Sequence, residues 1–448
     1  MGLKLYNTLS QRLEEFRPID DQVRIYSCGL TVQGPPHVGH IRAAITRDIL
    51  RRWLEFLGYK VKSIENFTDV DDKIIARQYE LNSDWRIIAE ENIQKYLQIC
   101  DYLNILKPHH YPRASQHIEE IIELIQRLFD KGLAYEKGGD VYYRVRNFPG
   151  YGKLSKKSID ELEVGARIEP TELKEDPLDF ALWKSAKPQE PYWVSPWGKG
   201  RPGWHIECSA MSMHYLGETF DIHTGGADLI FPHHENEIAQ SEGATGKEFV
   251  HYWLHNGMVN ITGEKMSKST GRYFLMEDII KDYSANVIRL FLLKTHYRSP
   301  IEFAKERLDE AKSAYARIEN FLIRFPERRN GVKYQALEEF VEALNDDLNT
   351  PKALGIIFDL VRKGYETNEP DIAESVRHYL KILGFREEKN RSEDALIPKL
   401  IELVLDVRSQ LRQNKHYSLA DEIRNKMKEL GIIIDDQKDQ SIYRWEVK

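Results

Sequence analysis

Four side chains that ligate soft metals are scattered along this chain: Cys28, Cys208, His233 and Glu237. Two thiolates, one imidazole and one carboxylate make a plausible zinc set. His233 and Glu237 are four apart, which on a helix puts them on one face. His234 and Glu235 adjoin them, so the assignment among neighbours stays open. The spacing alone is also met by two small buried thiols and a helix-surface histidine. A second group suits chemistry at a nucleotide α-phosphate. It consists of His37-Val38-Gly39-His40 and, much later, Lys265-Met266-Ser267-Lys268-Ser269. Two imidazoles beside a helix N-terminus can stabilise charge developing on a phosphate. Gly39 has no side chain, so an adenine or ribose can approach the backbone. Lys265 and Lys268 would supply positive charge to a leaving pyrophosphate, on a loop that Gly263, Ser267 and Ser269 leave able to close. Phosphate-bearing transition states need mainly positioning and charge. Cys28 lies shortly before His37, which links the two groups.

The elements that must position these residues follow from periodicity. Residues 23–28 read as a strand and Gly34-Pro35-Pro36 as a turn. Ile41, Ile45, Ile49, Trp53 and Leu57 recur at helical spacing, and Gly58 ends that helix. Val61 to Phe67 reads as the next strand, which completes a crossover unit of a parallel sheet. Ligands of such sheets bind at the C-terminal ends of the strands, near a helix N-terminus. The expected class is α/β, with a Rossmann-type catalytic domain over 1–136 and 204–301. Gly, Pro and Trp crowd 137–203, which reads as an inserted module of short strands. Residues 302–388 read as a helical bundle and 389–448 as a small terminal domain.

With 448 residues the chain can hold several domains. Its net charge of −7 announces no basic field, although a local basic face can hide in a balanced sum. Three cysteines, Cys28, Cys100 and Cys208, cannot build a disulfide framework, and a reducing compartment fits. No apolar run reaches membrane-spanning length. Met1-Gly2 matches an acylation start, but Tyr6 stands where Ser or Thr is required. The expectation is a cytoplasmic enzyme without a membrane partner.

The ordered motifs resemble those of cysteinyl-tRNA synthetases, a class I aminoacyl-tRNA synthetase family, nearly end to end. They are Cys28-Gly29-Leu30-Thr31-Val32, His37-Val38-Gly39-His40, Asn66-Phe67-Thr68-Asp69-Val70-Asp71-Asp72-Lys73, Gly203-Trp204-His205-Ile206-Glu207-Cys208-Ser209, Asp221-Ile222-His223, Phe231-Pro232-His233-His234-Glu235-Asn236-Glu237 and the Lys265–Ser269 run. The resemblance implies one Zn2+ per chain on Cys28, Cys208, His233 and Glu237. It implies a cysteine pocket that includes Thr68, Trp204 and Asp228, with Asp228 facing the ammonium. It implies ATP, with Mg2+, held at His37, Gly39, His40 and Lys268, and catalysis by His37, His40, Lys265 and Lys268. It also implies a tRNA(Cys) partner, a small anticodon-binding domain at the C-terminus and base contacts by Arg412, Asp421 and Asp436. A monomer is expected. Val38 stands where the family signature usually has isoleucine, and Gln33–Pro36 differs from the aromatic, Cys-containing version in some relatives. Neither difference touches an expected metal ligand or phosphate contact.

Two other functions compete. A ligase joining cysteine to an amino-sugar would use the same catalytic half, but needs no anticodon reader. A non-catalytic RNA- or metal-binding descendant would not need His37, His40, Lys265 and Lys268. A bond to zinc would separate a thiol from serine and alanine, which a hydrophobic pocket discriminates by only ~1–3 kcal/mol per small group. No editing domain is then required, and the 137–203 insert is short for one.

Overall fold

Val23, Ile25 and Tyr26 are consecutive or alternate apolar residues buried to zero exposure, the pattern of a strand covered on both faces. They belong to Gln22–Thr31, an inner strand of a four-stranded parallel sheet. The computed structural model describes residues 2–159, 161, 173–261, 275–325, 334–387, 391–436 and 441–445. Across the sheet the order is Val250–Asn256, Phe220–Gly226, Gln22–Thr31, Lys60–Thr68. The helix Val38–Phe56 makes the crossover from Gln22–Thr31 to Lys60–Thr68. The strand runs three residues beyond Cys28, past a register shift between Ser27 and Leu30. Cys28 therefore sits beside that irregularity, not at the strand end the sequence suggested.

The insert is a five-stranded antiparallel sheet in the order Ala134–Lys137, Asp140–Tyr143, Phe180–Ser185, Gly198–Pro202, Trp193–Ser195. It opens at Ala134, ahead of the expected 137, because Ala134 already pairs with Tyr143. The short strand Ile301–Phe303 pairs in parallel with Val259–Ile261, so the helical region starts at Lys305 instead of Glu302. Helices Lys305–Arg324, Leu337–Asn345, Thr350–Thr367 and Pro370–Ile382 follow. Their buried faces, with Phe321, Phe340, Ile357 and Tyr379, share one core with Ile41, Ile45 and Trp53.

The chain divides into two units, Met1–Arg386 and Glu387–Lys448. The second is a helix pair, Arg391–Gln413 and Tyr417–Glu429, with an antiparallel hairpin of Ile432–Asp436 and Ser441–Trp445. Its core is Ile401, Leu405, Met427, Ile432 and Ile434. Leu400, Leu403, Val407 and Leu419 are apolar but exposed. Two helices and a hairpin can bury only one face of each helix. No helix among the described residues is long and apolar enough to cross a membrane.

One buried ion pair fastens the bundle to the sheet domain. Asp48 and Arg289 are both fully buried at 2.5 Å. Arg289 also donates to the carbonyls of Leu103 and Leu383, each at 2.8 Å. Burial pushes the Asp48 carboxyl up, but Arg289 and Arg52 bring it below its ordinary value. Its stabilisation is present at neutral pH and is lost as pH falls through the lowered value. Asp48→Ala leaves a guanidinium buried without its anion and should lower unfolding free energy by about 3–5 kcal/mol. Denaturant titration should show that loss, while Asp21→Ala, at the solvated Lys60–Asp21 pair, should cost less than about 1 kcal/mol. Equal costs would refute the anchoring role.

Candidate functional site

The helix Val38–Phe56 begins with a reciprocal cap built from two imidazoles. His37 is the N-cap, and its Nδ1 accepts from the Gly39 N–H at 3.1 Å. His40 Nδ1 accepts from the His37 N–H at 3.2 Å. The rings stack with centroids 3.5 Å apart. An Nδ1 that accepts from a backbone N–H carries no proton, so in each neutral ring the proton is on Nε2. Burial lowers the His37 imidazolium, against a weaker pull from Asp228. Burial, then the neighbouring His37, lowers His40 to about 3. The pair is therefore neutral at physiological pH, and what it offers a ligand is N–H donors, not full charges. A Cβ at Gly39 would stand 3.0 Å from the His37 ring, so a side chain there would press on the cap.

Both imidazoles line a cavity of about 430 Å³ over the C-terminal ends of the strands. Its floor is a cluster of thiol, imidazole and carboxylate groups. Cys28, Cys208, His233 and Glu237 bring one donor atom each to within 4.8 Å of one another. Cys28 Sγ is 3.6 Å from Cys208 Sγ and 3.4 Å from Glu237 Oε1. His233 Nε2 is 3.0 Å from Glu237 Oε1, as the four-residue spacing required. The hydrogen bond from Cys28 holds the Cys208 thiol down to about 6, against burial. Burial pushes the Cys28 thiol up. Burial also opposes the charge on Glu237, but His223 and His233 bring it to about 2. A buried thiolate and carboxylate facing one another suit a divalent cation.

A second set, Cys28, His223, His234 and Glu237, is equally compact. One observation favours the first. Cys28, Cys208 and His233 line the cavity, whereas His223 and His234 do not. His223 Nε2 bonds Glu237 Oε2 at 3.0 Å, and His234 reaches His255 through Nδ1 at 2.8 Å and Cys28 Sγ through Nε2 at 3.3 Å, behind the cavity-lining groups. His205 Nδ1 meets His233 Nδ1 at 2.9 Å, which leaves His233 Nε2 for the cluster. That is the outer support a ligating imidazole requires. Glu235 is removed from contention because its carboxylate accepts from the backbone N–H groups of Gly152, Leu154 and Ser155.

Thr68, Trp204 and Asp228 also line the cavity. Trp204 opens the helix Trp204–Leu216 and stacks on His233 at 4.4 Å. Thr68 donates its hydroxyl proton to Glu207 Oε2 at 2.8 Å. The same oxygen accepts from Asn66 Nδ2 at 3.5 Å and keeps further acceptor capacity at the cavity lining. Glu207 was missed by sequence reasoning, although it adjoins Cys208. It is fully buried, burial pushes its carboxyl well up, and its Oε1 has no partner among the described residues. His205, His223 and Lys73 were quoted within motifs without a role. Lys265 and Lys268, with Gly263, Ser267 and Ser269, lie outside the described residues. Arg412 and Asp421 are exposed on the two helices of the terminal unit. Asp436 ends the strand Ile432–Asp436, and its side chain lies outside the description.

Comparison with known proteins gives matches over most of the chain. Residues 15–313 match the family described as tRNA synthetases class I (C) catalytic domain, and residues 339–384 match a DALR domain. The DALR match falls in the helical bundle, ahead of the terminal unit. The cysteine–tRNA ligase of Pseudothermotoga lettingae is 48% identical over 98% of this chain and 99% of its own. Those of Thermodesulfovibrio yellowstonii and Pyrococcus horikoshii are 45% and 46% identical, with 100% and 99% of each chain covered. Among solved structures, Mycobacterium tuberculosis methionyl-tRNA synthetase with methionyl-adenylate superposes with a TM-score of 0.59 at 14% identity, over 81% of this chain and 90% of that one. At that identity the likeness speaks for the fold alone.

The cap geometry has a spectroscopic consequence. Nitrogen NMR of labelled imidazoles, assigned with His37→Asn and His40→Asn, should find both neutral rings Nε2-protonated, with His40 neutral throughout pH 6 to 8. An imidazolium signal from His40 near pH 6.5 would contradict the burial argument.

Proposed function

The chain belongs to the cysteine–tRNA ligases, a family of class I aminoacyl-tRNA synthetases, and on that premise we propose how its residues divide the work. The activity is ATP-dependent activation of L-cysteine and transfer of the cysteinyl group to the terminal ribose of tRNA(Cys). The observation that carries the reading is the junction of two chemistries in one cavity. A thiolate–imidazole–carboxylate cluster forms the floor, and two neutral N–H donors stand at a helix N-terminus on its wall.

Cys28, Cys208, His233 and Glu237 would hold one zinc, and the anionic character of Cys208 and Glu237 fits a dication. When bound, the ion supplies a soft Lewis acid that favours a substrate thiolate over a hydroxyl. Trp204 covers His233 and narrows the space beside it. Thr68 and Asp228 receive the substrate ammonium, Thr68 as a lone-pair acceptor and Asp228 as a charge. The cysteine carboxylate then attacks the α-phosphorus, and pyrophosphate leaves. His37 and His40 donate from Nε2 to the α-phosphate oxygens as their charge shifts. Lys265 and Lys268 act on the leaving pyrophosphate, with Mg2+ accompanying ATP. In the second step the tRNA ribose hydroxyl attacks the adenylate carbonyl. The DALR domain gives the C-terminal part an anticodon-binding module. We assign the terminal unit to the same task, with Arg412, Asp421 and Asp436 as base contacts.

The direct assay is cysteine-dependent ATP–pyrophosphate exchange, followed by charging of purified tRNA(Cys). Exchange without charging would favour a ligase for another amine. Neither activity in folded protein would favour a non-catalytic binder.

Two variants test the assignment of roles. Metal analysis should find about one zinc per chain, and Cys208→Ser should reduce it. Full retention of zinc after Cys28→Ser and Cys208→Ser together would overturn the ligand set. Thr68→Val removes one acceptor for a charged donor and should raise the KM for cysteine about 10-fold, or ~1.4 kcal/mol, with the KM for ATP little changed. An equal rise in both would place Thr68 outside the amino-acid pocket.

A further inference from the structure

Among the described residues, Lys73 is the only lysine or arginine that lines the cavity. It stands in the first turn of the helix Asp72–Leu81. A cation there opposes the helix dipole, so local helix stability does not explain it. Such a break of a local rule points to a role elsewhere. Neighbouring acids do not neutralise it. Asp71 caps the helix by accepting from the Lys73 backbone N–H at 2.9 Å. Asp72 turns away to Lys184 Nζ at 2.6 Å and to Arg201, on paired strands of the inserted sheet. No carboxylate among the described residues lies within ion-pair distance of the Lys73 ammonium. His37 and His40, the other groups suited to an anion, are held neutral. The cavity therefore keeps one solvated, unpaired positive charge on this wall.

Sheet order limits which anion it meets. Lys73 follows the Lys60–Thr68 edge strand. Asn256, Gly257 and Met258 follow the opposite edge strand, and the Lys265–Ser269 run comes soon after them in sequence. Three strand spacings separate the two edges, about 14 Å. The reacting α-phosphate belongs between them, where His37 and His40 follow the inner Gln22–Thr31 strand. The proposed pyrophosphate contacts, Lys265 and Lys268, follow the Val250–Asn256 edge strand in sequence. Lys73 follows the other edge strand, beside the insert to which Asp72 is tied. We infer that Lys73 binds the last phosphodiester of the tRNA 3′ end and so sets the terminal ribose against the adenylate carbonyl. This rests on the ligase reading and assigns the residue to the second step.

The test uses the full-length enzyme with Lys73→Met and Lys73→Arg. Pyrophosphate exchange measures the first step, and single-turnover transfer from preformed cysteinyl-adenylate measures the second. Lys73→Met should leave exchange within about twofold of wild type and slow transfer at least about 10-fold, and Lys73→Arg should restore most of it. A tRNA(Cys) whose last phosphodiester is replaced by an uncharged methylphosphonate should slow wild-type transfer similarly. It should add little to the Lys73→Met defect, because the two changes remove one contact. Equal loss of exchange and transfer would mean that Lys73 meets ATP or the cysteine carboxylate, and the inference falls. Unchanged transfer, or additive effects of the two changes, would also overturn it. Wild-type enzyme that fails to charge tRNA would refute the ligase reading itself, a separate result.

Discussion

A carboxylate withdrawn completely from water, at Glu237, is the constraint around which the active half is arranged. A buried charge survives only if partners surround it. Here they arrive from separate elements: His223 on one strand, Cys28 on the next, and His233 from the turn before Glu237's own helix. Each of those elements is thereby held in register at the point where a ligand would enter. The aromatic packing has the same logic. Trp253 stacks on His223 at 4.6 Å, and Phe220 and Phe249 close the space behind. That apolar wall lowers the local polarity behind the cluster, which strengthens the interactions among its charges.

Above this floor the sheet distributes tasks by strand. The irregularity at Ser27/Leu30 lets Gly29 approach Asn66 so closely that a Cβ would stand 1.7 Å from its carbonyl oxygen. Gly29 N–H also donates to Asn66 Oδ1 at 2.9 Å. This turns Cys28 toward Cys208 while the chain continues to the His37 cap. The helix behind the cap is fixed by Arg42, which donates to the carbonyls of Met258 and Tyr297 at 2.9 and 3.2 Å. The helix that carries the imidazole cap is thus tied to the backbone just past the Val250–Asn256 strand.

Much of this was legible in the residues. The crossover unit follows from the spacing of Ile41, Ile45 and Ile49 between two apolar strands, and the His233–Glu237 contact follows from helical geometry. Histidine partners were not legible. His223 and His234 meet the cluster, and His255 backs His234, only because of strand order and the turn before Glu235, neither of which is written in local spacing. Glu207 was hidden beside a cysteine, and Lys73 in an acidic run whose charges are used elsewhere. The small terminal domain expected over 389–448 is the unit Glu387–Lys448, but which of its apolar residues form the core was not legible, because so small a unit can cover only one face of each helix.

The central claim is that the Glu237-centred cluster selects the amino acid by its sulfur. The most direct measurement is ATP–pyrophosphate exchange driven by cysteine and by serine, before chelation, after it, and after zinc is returned. The account predicts that the intact enzyme supports exchange with cysteine and not serine, that chelation abolishes the cysteine signal, and that zinc restores it. Metal-free enzyme that still activates cysteine and still rejects serine would contradict it.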